Sequence, residues 1–211
     1  MTTEPGIEIA GRALSIDDCV DKLRRYPRRT LSRYDQPGSG ARDCLAREEI
    51  IRTRAVSSRI SEAEVDWFLH RAKDAPWPSP QADDLRQADP AIANGRYDEL
   101  VKLYSHFNDG APRGIAMAKI SKVLHVKRPA AYPILDRRIA LVYRDAAAQA
   151  ARRYPQRSQS RAYWAAIRDD LIANTESGAL QALRAALEDV SFGNNVTSVT
   201  DLRLLDMLTW R

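Results

Sequence analysis

A short stretch near the middle of the chain combines a turn suited to phosphate with one carboxylate that could do chemistry. The sequence predicts a helix over residues 97–107, a turn rich in Gly and Pro over residues 110–116, and a second helix that Pro129 closes. A tight turn between two helices can point backbone N–H groups at a phosphate, and the dipole of the second helix strengthens that attraction. The extended approach through Pro133 then presents Asp136 at the start of a third helix.

Asp136 has two interpretations at that position. Spacing alone favours a helix N-cap, in which the carboxylate accepts hydrogen bonds from the first backbone N–H groups of the helix. The second interpretation, a catalytic carboxylate, comes from a family resemblance that neighbouring segments carry. The two roles are compatible.

Several segments resemble helix-hairpin-helix DNA glycosylases. They are Ser121-Lys122-Val123-Leu124, Lys127-Arg128-Pro129 and Tyr132-Pro133-Ile134-Leu135-Asp136, and they are most similar to a poorly characterised actinobacterial-type branch of that superfamily. Arg33-Tyr34-Asp35 and Asp201-Leu202-Arg203-Leu204-Leu205-Asp206 are also similar to this branch, so the resemblance covers most of the chain.

The turn departs from the usual pattern of the superfamily, which is Leu-Pro-Gly-Val-Gly. Here it is Ala111-Pro112-Arg113-Gly114-Ile115, with Ala116 in place of the second glycine. The Schiff-base lysine of bifunctional members falls on Ala118, beside Lys119. The resemblance therefore implies a monofunctional enzyme that uses Asp136, and Lys119 as a covalent nucleophile is the alternative.

The function that the resemblance implies is excision of a damaged or modified base from double-stranded DNA. The base is flipped out of the stack, and Asp136 promotes its departure to leave an abasic site. Defence against phage whose DNA carries modified bases is one role that helical glycosylases of this kind serve. No cofactor or metal is expected.

The resemblance also implies a set of contact residues. Those expected to hold the DNA strand lie in the turn or carry positive charge near it: Arg113, Gly114, Ala116, Lys122, Lys127, Arg128 and Arg137. Tyr34 could stack on the base while Asp35 reads its edge, although a local Asx-type turn is the plainer interpretation of this pair. Trp77 could be a wedge or stacking platform, and packing between lobes is its alternative role.

Two other classes of function stay open. The chain could be a non-catalytic helix-hairpin-helix protein that binds DNA through phosphates alone. It could also be an unrelated helical interaction protein whose basic surface meets an acidic partner.

Composition is compatible with DNA binding and excludes several cofactors. Among 211 residues, 33 Lys and Arg oppose 28 Asp and Glu, for a net charge of +5. Arginines cluster in the segments 24–33, 128–138 and 152–161, which suits phosphate contacts. Two cysteines, Cys19 and Cys44, cannot hold an iron–sulfur cluster or a zinc ion, and the three histidines have no metal-ligand spacing.

The elements predict an all-α protein, a two-lobed helical bundle with a helix-hairpin-helix glycosylase-like core and eight or nine helices. Strand signals are nearly absent. We expect an N-terminal arm and helix over residues 1–26, loosely packed at its start, and a helical domain over residues 27–211 with a lobe boundary near residues 75–95. The N-terminus lacks a signal-peptide design and no apolar run spans a membrane, so we expect a cytoplasmic monomer.

Overall fold

Helices account for most of the computed structural model, which describes residues 6–36, 41–189 and 195–210. In these residues the α-helices are α1 (Ile16–Arg24), α2 (Arg28–Arg33), α3 (Arg47–Arg52), α4 (Glu62–Arg71), α5 (Arg96–Asn108), α6 (Met117–Lys127), α7 (Arg137–Val142), α8 (Arg144–Arg153), α9 (Gln159–Glu176), α10 (Ala179–Asp189) and α11 (Asp201–Thr209). Short 3-10 turns lie at Thr53–Val56, Ala72–Asp74, Pro80–Ala82, Leu85–Gln87 and Asn195–Ser198.

The expectation of a mainly helical protein is confirmed, and two boundaries are corrected. The long helix predicted over residues 137–153 is divided into α7 and α8 at Tyr143, whose ψ of 6° leaves the helical range and whose ring is buried. The predicted loop after Arg28 contains α2. In contrast, α4 begins at the predicted capping box, where the Ser61 hydroxyl accepts from Glu64 N and the Glu64 carboxylate accepts from Ser61 N.

Residues 7–14 form a packed β-hairpin, which corrects the expectation of a loose arm for this stretch, and residues 1–5 of that arm lie outside the described residues. Strands β1 (Ile7–Ile9) and β2 (Arg12–Leu14) pair antiparallel, with Ile7 opposite Leu14. Ala10 and Gly11 both have positive φ, as a type I′ hairpin turn requires. Ile7 and Ile9 are buried against the helices. The strand is only three residues long, so the alternation of apolar and polar residues that predicts a strand was too short to recognise in the sequence.

The larger of two apolar clusters in the described residues extends from β1 to α11, and the smaller one contains Tyr34, Val56, Val126 and Ile134. Trp164 of α9 is fully buried in the larger cluster. Its ring packs edge to face against three tyrosine rings at centroid distances of 5.5–6.2 Å, those of Tyr97, Tyr104 and Tyr132. These tyrosines come from α5 and from the segment after α6, so α9 holds both helices of the candidate hairpin in place.

The predicted lobe boundary near residues 75–95 is built from 3-10 turns, and Ala82, Leu85 and Ala88 in it are buried in the same cluster. The division of the chain at this stretch stays a prediction. None of the helices in the described ranges combines the length and the apolar character needed to cross a bilayer.

The β-hairpin is tied to α9 by a carboxylate that titrates in an unusual range. Asp170 accepts a hydrogen bond from Ala10 N at 2.6 Å, and burial raises the pKa of Asp170 from 3.8 to about 6. Asn174 on the next turn exchanges two hydrogen bonds with the Glu8 backbone, each 2.7 Å long. The hairpin therefore depends on side chains of α9.

We expect this carboxyl group to make the free energy of unfolding pH-dependent. The folded protein holds a proton on Asp170 that the unfolded chain releases, so its contribution to stability falls as the pH rises through the interval between these two pKa values. Asp170→Asn keeps an acceptor for Ala10 N and removes the titration. Thermal melts across this pH interval should give a flatter profile for the variant than for the wild type, and parallel profiles would contradict the assignment.

Candidate functional site

The turn between α5 and α6 exposes backbone N–H groups at the start of α6. Ile115 N donates to Pro112 O at 3.0 Å, which closes a tight turn, and Gly114 within it has a φ of +104° that favours glycine. Ala116 is the N-cap residue of α6 and provides no side-chain cap. The N–H groups of Met117 and Ala118 have no hydrogen-bond partner in the described part of the chain, so they are available to an anion.

Glu64 of α4 lies under this turn and fixes Lys119. The Lys119 ammonium contacts Glu64 Oε1 at 2.5 Å, and both side chains are mostly buried. A Cβ atom at Gly114 would lie 3.0 Å from the same oxygen, so the absence of a side chain there lets the turn approach α4. The sequence indicated Glu64 only as part of a capping box; its second role depends on the packing of α4 against the turn.

Asp136 is the N-cap residue of α7, and the capping interpretation is confirmed. Its Oδ1 accepts from Arg138 N at 2.9 Å and from Ile139 N at 3.1 Å. Its Oδ2 has no hydrogen-bond partner among residues 6–36, 41–189 and 195–210, and the side chain is partly exposed. The carboxylate therefore has one oxygen committed to the helix and one available for chemistry.

Ser121 connects Asp136 to the helix that follows the turn. Its hydroxyl accepts from Leu135 N at 3.0 Å, which anchors the extended segment before Asp136 to the middle of α6. Burial lowers the pKa of Lys122, the next residue, and the negative charge of Asp136 opposes that shift, so this carboxylate lies within electrostatic range of α6. The turn and the carboxylate are thus held by the same helix.

Three cations predicted to contact phosphate are buried, which corrects those predictions. The Lys122 ammonium donates to a backbone carbonyl at 2.8 Å, and the residue is 6% exposed. Lys127 forms a buried ion pair with Glu49 at 3.0 Å. Arg128 is paired with Asp83 and also donates to a backbone carbonyl. Each is committed to a partner inside the protein, a carboxylate for Lys127 and Arg128 and a backbone carbonyl for Lys122, so none of the three side chains is free to contact DNA.

The other members of the predicted DNA-contact set remain on the surface. Arg113, Gly114 and Ala116 of the turn are exposed, and so is Arg137 at the first position of α7. The side chain of Arg137 makes no hydrogen bond or ion pair with any residue that the structure describes. These four positions form the part of the predicted interface that a ligand could contact.

Tyr34 and Asp35 lie in a buried polar cluster rather than in an open base-reading position. Asp35 accepts from Arg203 at 2.7 and 3.3 Å through its two oxygens, and Arg203 also pairs with Asp206 and donates to the Tyr26 hydroxyl at 2.6 Å. Tyr34 is 1% exposed and donates to a backbone carbonyl of α6. Asp35 therefore has no oxygen left to read a base edge, which corrects that expectation.

A cavity of about 230 Å³ adjoins this cluster. Tyr34, Asp35 and His125 line it, and the Tyr34 ring stacks on the His125 ring with 6.0 Å between centroids. Burial lowers the pKa of His125 to about 3, so its ring is neutral and Nδ1 donates to the Tyr132 carbonyl oxygen at 2.7 Å. The cavity is lined mainly by apolar surface, and the Tyr34 hydroxyl and the Asp35 carboxylate in its lining are already paired.

Trp77 is partly buried and packs against the core through contacts that hold its ring, which corrects its assignment as a wedge. Its Nε1 donates to Ala72 O at 3.3 Å, its ring meets that of Phe107 at 6.4 Å, and the Arg128 guanidinium lies 5.9 Å from its centroid. The structure agrees with the alternative role of Trp77, which is packing against neighbouring elements.

Comparison with known families gives one match. Residues 21–211 match the profile of a family described as a family of unknown function (DUF6308). The chain belongs to the DUF6308 family. No curated protein and no solved structure matches the chain.

The match places four features of this DUF6308 protein within the span shared by the family: the turn, Asp136, the Arg203 cluster and the Glu64–Lys119 pair. In the described residues no three His, Cys, Asp or Glu side chains are grouped so that they could hold a metal ion. The groups that the structure places at the candidate site are one carboxylate, backbone N–H groups and exposed arginines.

Proposed function

We propose that the protein binds double-stranded DNA through the turn between α5 and α6 and excises a base with Asp136. The observation that carries this proposal is the Asp136 carboxylate, which is partly exposed, holds one oxygen free of partners in the described residues, and is tied to α6 by Ser121. A DNA strand docked at the start of α6 would therefore meet this carboxylate on the next helix.

Docking would use groups that carry no sequence information. The N–H groups at the start of α6 point at a phosphate together with the positive end of the helix dipole. Arg113 beside the turn and Arg137 beside Asp136 are exposed and add positive charge. Contacts of this kind fix the position of the strand. The base itself would be recognised when it is flipped out of the stack.

Excision would break the N-glycosidic bond and leave its electron pair on the departing base. The sugar then carries oxocarbenium-like positive charge, and a carboxylate about 4 Å away would stabilise it by roughly 4 kcal/mol at an effective dielectric constant near 20. Water adds to the sugar carbon and loses a proton to the carboxylate, from which the base or solvent takes it. The products are the free base and an abasic site.

The ion pair of Lys119 supports a monofunctional enzyme. A Schiff base requires an amine that is free to attack the sugar carbon, whereas the Lys119 side chain is held in an ion pair with Glu64 at 2.5 Å. We therefore propose hydrolysis without a covalent lysine intermediate.

Labelled duplexes that each carry one damaged or modified base, including modified bases of the kind found in phage DNA, test the proposal. Each is incubated with the protein and then treated with alkali, which cleaves abasic sites. Strand breaks should appear with at least one duplex, and borohydride should trap no protein–DNA adduct. A trapped adduct would show that a lysine attacks the sugar.

A non-catalytic DNA-binding protein is the second candidate, and one observation favours it. Five of the best-defined cavities among the described residues do not include Asp136 in their linings, so none of these five presents the carboxylate to a base. If the protein binds every duplex and releases no base from any of them, this second function is the better description.

A further inference from the structure

An open groove of about 770 Å³ lies between α2 and α3, away from the turn. Four arginines line it: Arg29 and Arg33 from α2, Arg52 from the end of α3, and Arg54 from the 3-10 turn that follows. Glu48 is the one acidic residue among the described residues of its lining. The groove therefore brings two arginines of the cluster over residues 24–33 together with two arginines from residues 52–54, which the sequence did not connect with them.

Two of these arginines have no partner that would neutralise them. Arg29 and Arg33 are exposed, and neither guanidinium makes a hydrogen bond or ion pair with a residue in the described ranges. They are four residues apart on α2 and so lie on the same side of the helix. Arg54, in contrast, is paired with Glu62 at 2.7 Å. Exposed, unpaired guanidinium groups are the ones available to an anionic ligand.

The groove is built on the same framework as the candidate site. Thr30 of α2 donates to Ala55 O, which fixes one wall against the 3-10 turn. The next carbonyl of that turn, Val56 O, accepts from the Lys122 ammonium of α6 at 2.8 Å. Lys122 is also the residue whose pKa reflects the charge of Asp136. The buried side chain of Lys122 therefore contacts the groove wall and lies within electrostatic range of Asp136.

We infer that this groove binds the phosphodiester backbone of DNA, as a second contact in addition to the turn. The inference rests on the proposed function for the identity of the ligand. The part of the lining that the structure describes contains no aromatic side chain, so stacking on bases does not occur there. Its apolar residues, Pro27, Ile51 and Ala55, suit the sugar edge of a strand, and the guanidinium groups suit successive phosphates.

The experiment compares two variants that remove the same number of charges. Arg29→Gln/Arg33→Gln removes the unpaired groove arginines, whereas Arg24→Gln/Arg144→Gln removes two exposed arginines that lie next to aspartates outside the groove. Fluorescence anisotropy measures the affinity of each for a short undamaged duplex at salt concentrations between about 50 and 200 mM. Thermal melts verify that each variant is folded.

We expect the groove variant to bind about tenfold more weakly at low salt, with a salt slope shallower by about 2 because two phosphate contacts are lost. The control variant should change the slope by less than half as much. Equal losses in the two variants would show that only net charge matters and would overturn the inference. A groove variant with the same DNA affinity and salt slope as the wild type would overturn it too. So would a wild-type protein that does not bind DNA and binds a phosphorylated peptide through Arg29 and Arg33.

Base release measured on the same proteins separates this inference from the proposed function. If the wild type binds DNA and releases no base while the groove variant binds more weakly, the groove assignment stands and excision is refuted. If base release occurs and the groove variant binds as tightly as the wild type, excision stands and the groove assignment is refuted.

Discussion

Replacing Asp136 with asparagine should abolish base release and leave the stability of the fold unchanged. Asparagine keeps the side-chain oxygen that accepts from Arg138 N and Ile139 N, so the N-cap of α7 survives. It removes the negative charge that would stabilise the sugar cation. The loss of roughly 4 kcal/mol of transition-state stabilisation corresponds to about a thousandfold fall in the rate of excision. Single-turnover assays on the duplex identified by the lesion panel measure this rate.

Asp136→Ala is the matched control for the structural role of the same side chain. It removes the cap as well as the charge, so its free energy of unfolding should fall by about 1 kcal/mol while that of Asp136→Asn does not. DNA affinity should be retained by Asp136→Asn, because docking depends on the turn and the arginines. An asparagine variant that excises the base at the wild-type rate would remove Asp136 from the mechanism.

Replacing Arg203 with methionine should cause the largest loss of stability in the molecule. Arg203 is 1% exposed and lies between the carboxylates of Asp35 and Asp206, which are themselves buried. Its removal leaves two buried carboxylates without their counter-ion, which costs about 3–5 kcal/mol. Tyr26 also loses the donor to its hydroxyl. Urea unfolding should show a lower midpoint with a similar slope.

A triple variant, Arg203→Met with Asp35→Asn and Asp206→Asn, separates charge from packing. Removing both carboxylates with the arginine should restore more than half of the lost stability, because an uncharged cluster pays no penalty for desolvated charge. Burial already raises the pKa of Asp206 to about 6 beside Arg203, so the deficit of the single variant should grow as the pH rises through that value. A single variant within about 1 kcal/mol of the wild type would contradict this account.

The local features of the candidate site were predictable because they depend on neighbours in sequence. The capping box at Ser61 and the N-cap at Asp136 satisfy N–H groups two or three residues away, so the pattern that predicts them is also what forms them. Gly110 and Gly114 occupy the two positions of the turn with positive φ, and an apolar stripe buries α6. The sequence by itself therefore determined the mainly helical class, the position of the turn and the placement of Asp136.

Only the tertiary structure decided which charges are available to a ligand. Lys122, Lys127 and Arg128 follow the turn in sequence and predicted a basic surface. Each side chain is instead buried against a partner distant in sequence, which is Val56 O, Glu49 or Asp83. Nothing in the sequence distinguished Arg29 and Arg33 from these three cations, yet both remain unpaired among the described residues. A cation is neutralised by groups that are close in space, and sequence separation does not report that distance.

The Arg203–Asp35 pair shows the same limit at its largest scale, since 168 positions separate the two residues along the chain. Both segments can be recognised as motifs in the sequence. Their contact in one buried cluster cannot be predicted from it. Helix capping and turn formation act within a few residues, so the sequence determines them. Burial and ion pairing depend on how α2, α6 and α11 pack together, so the fold alone determines where the charges of this protein can act.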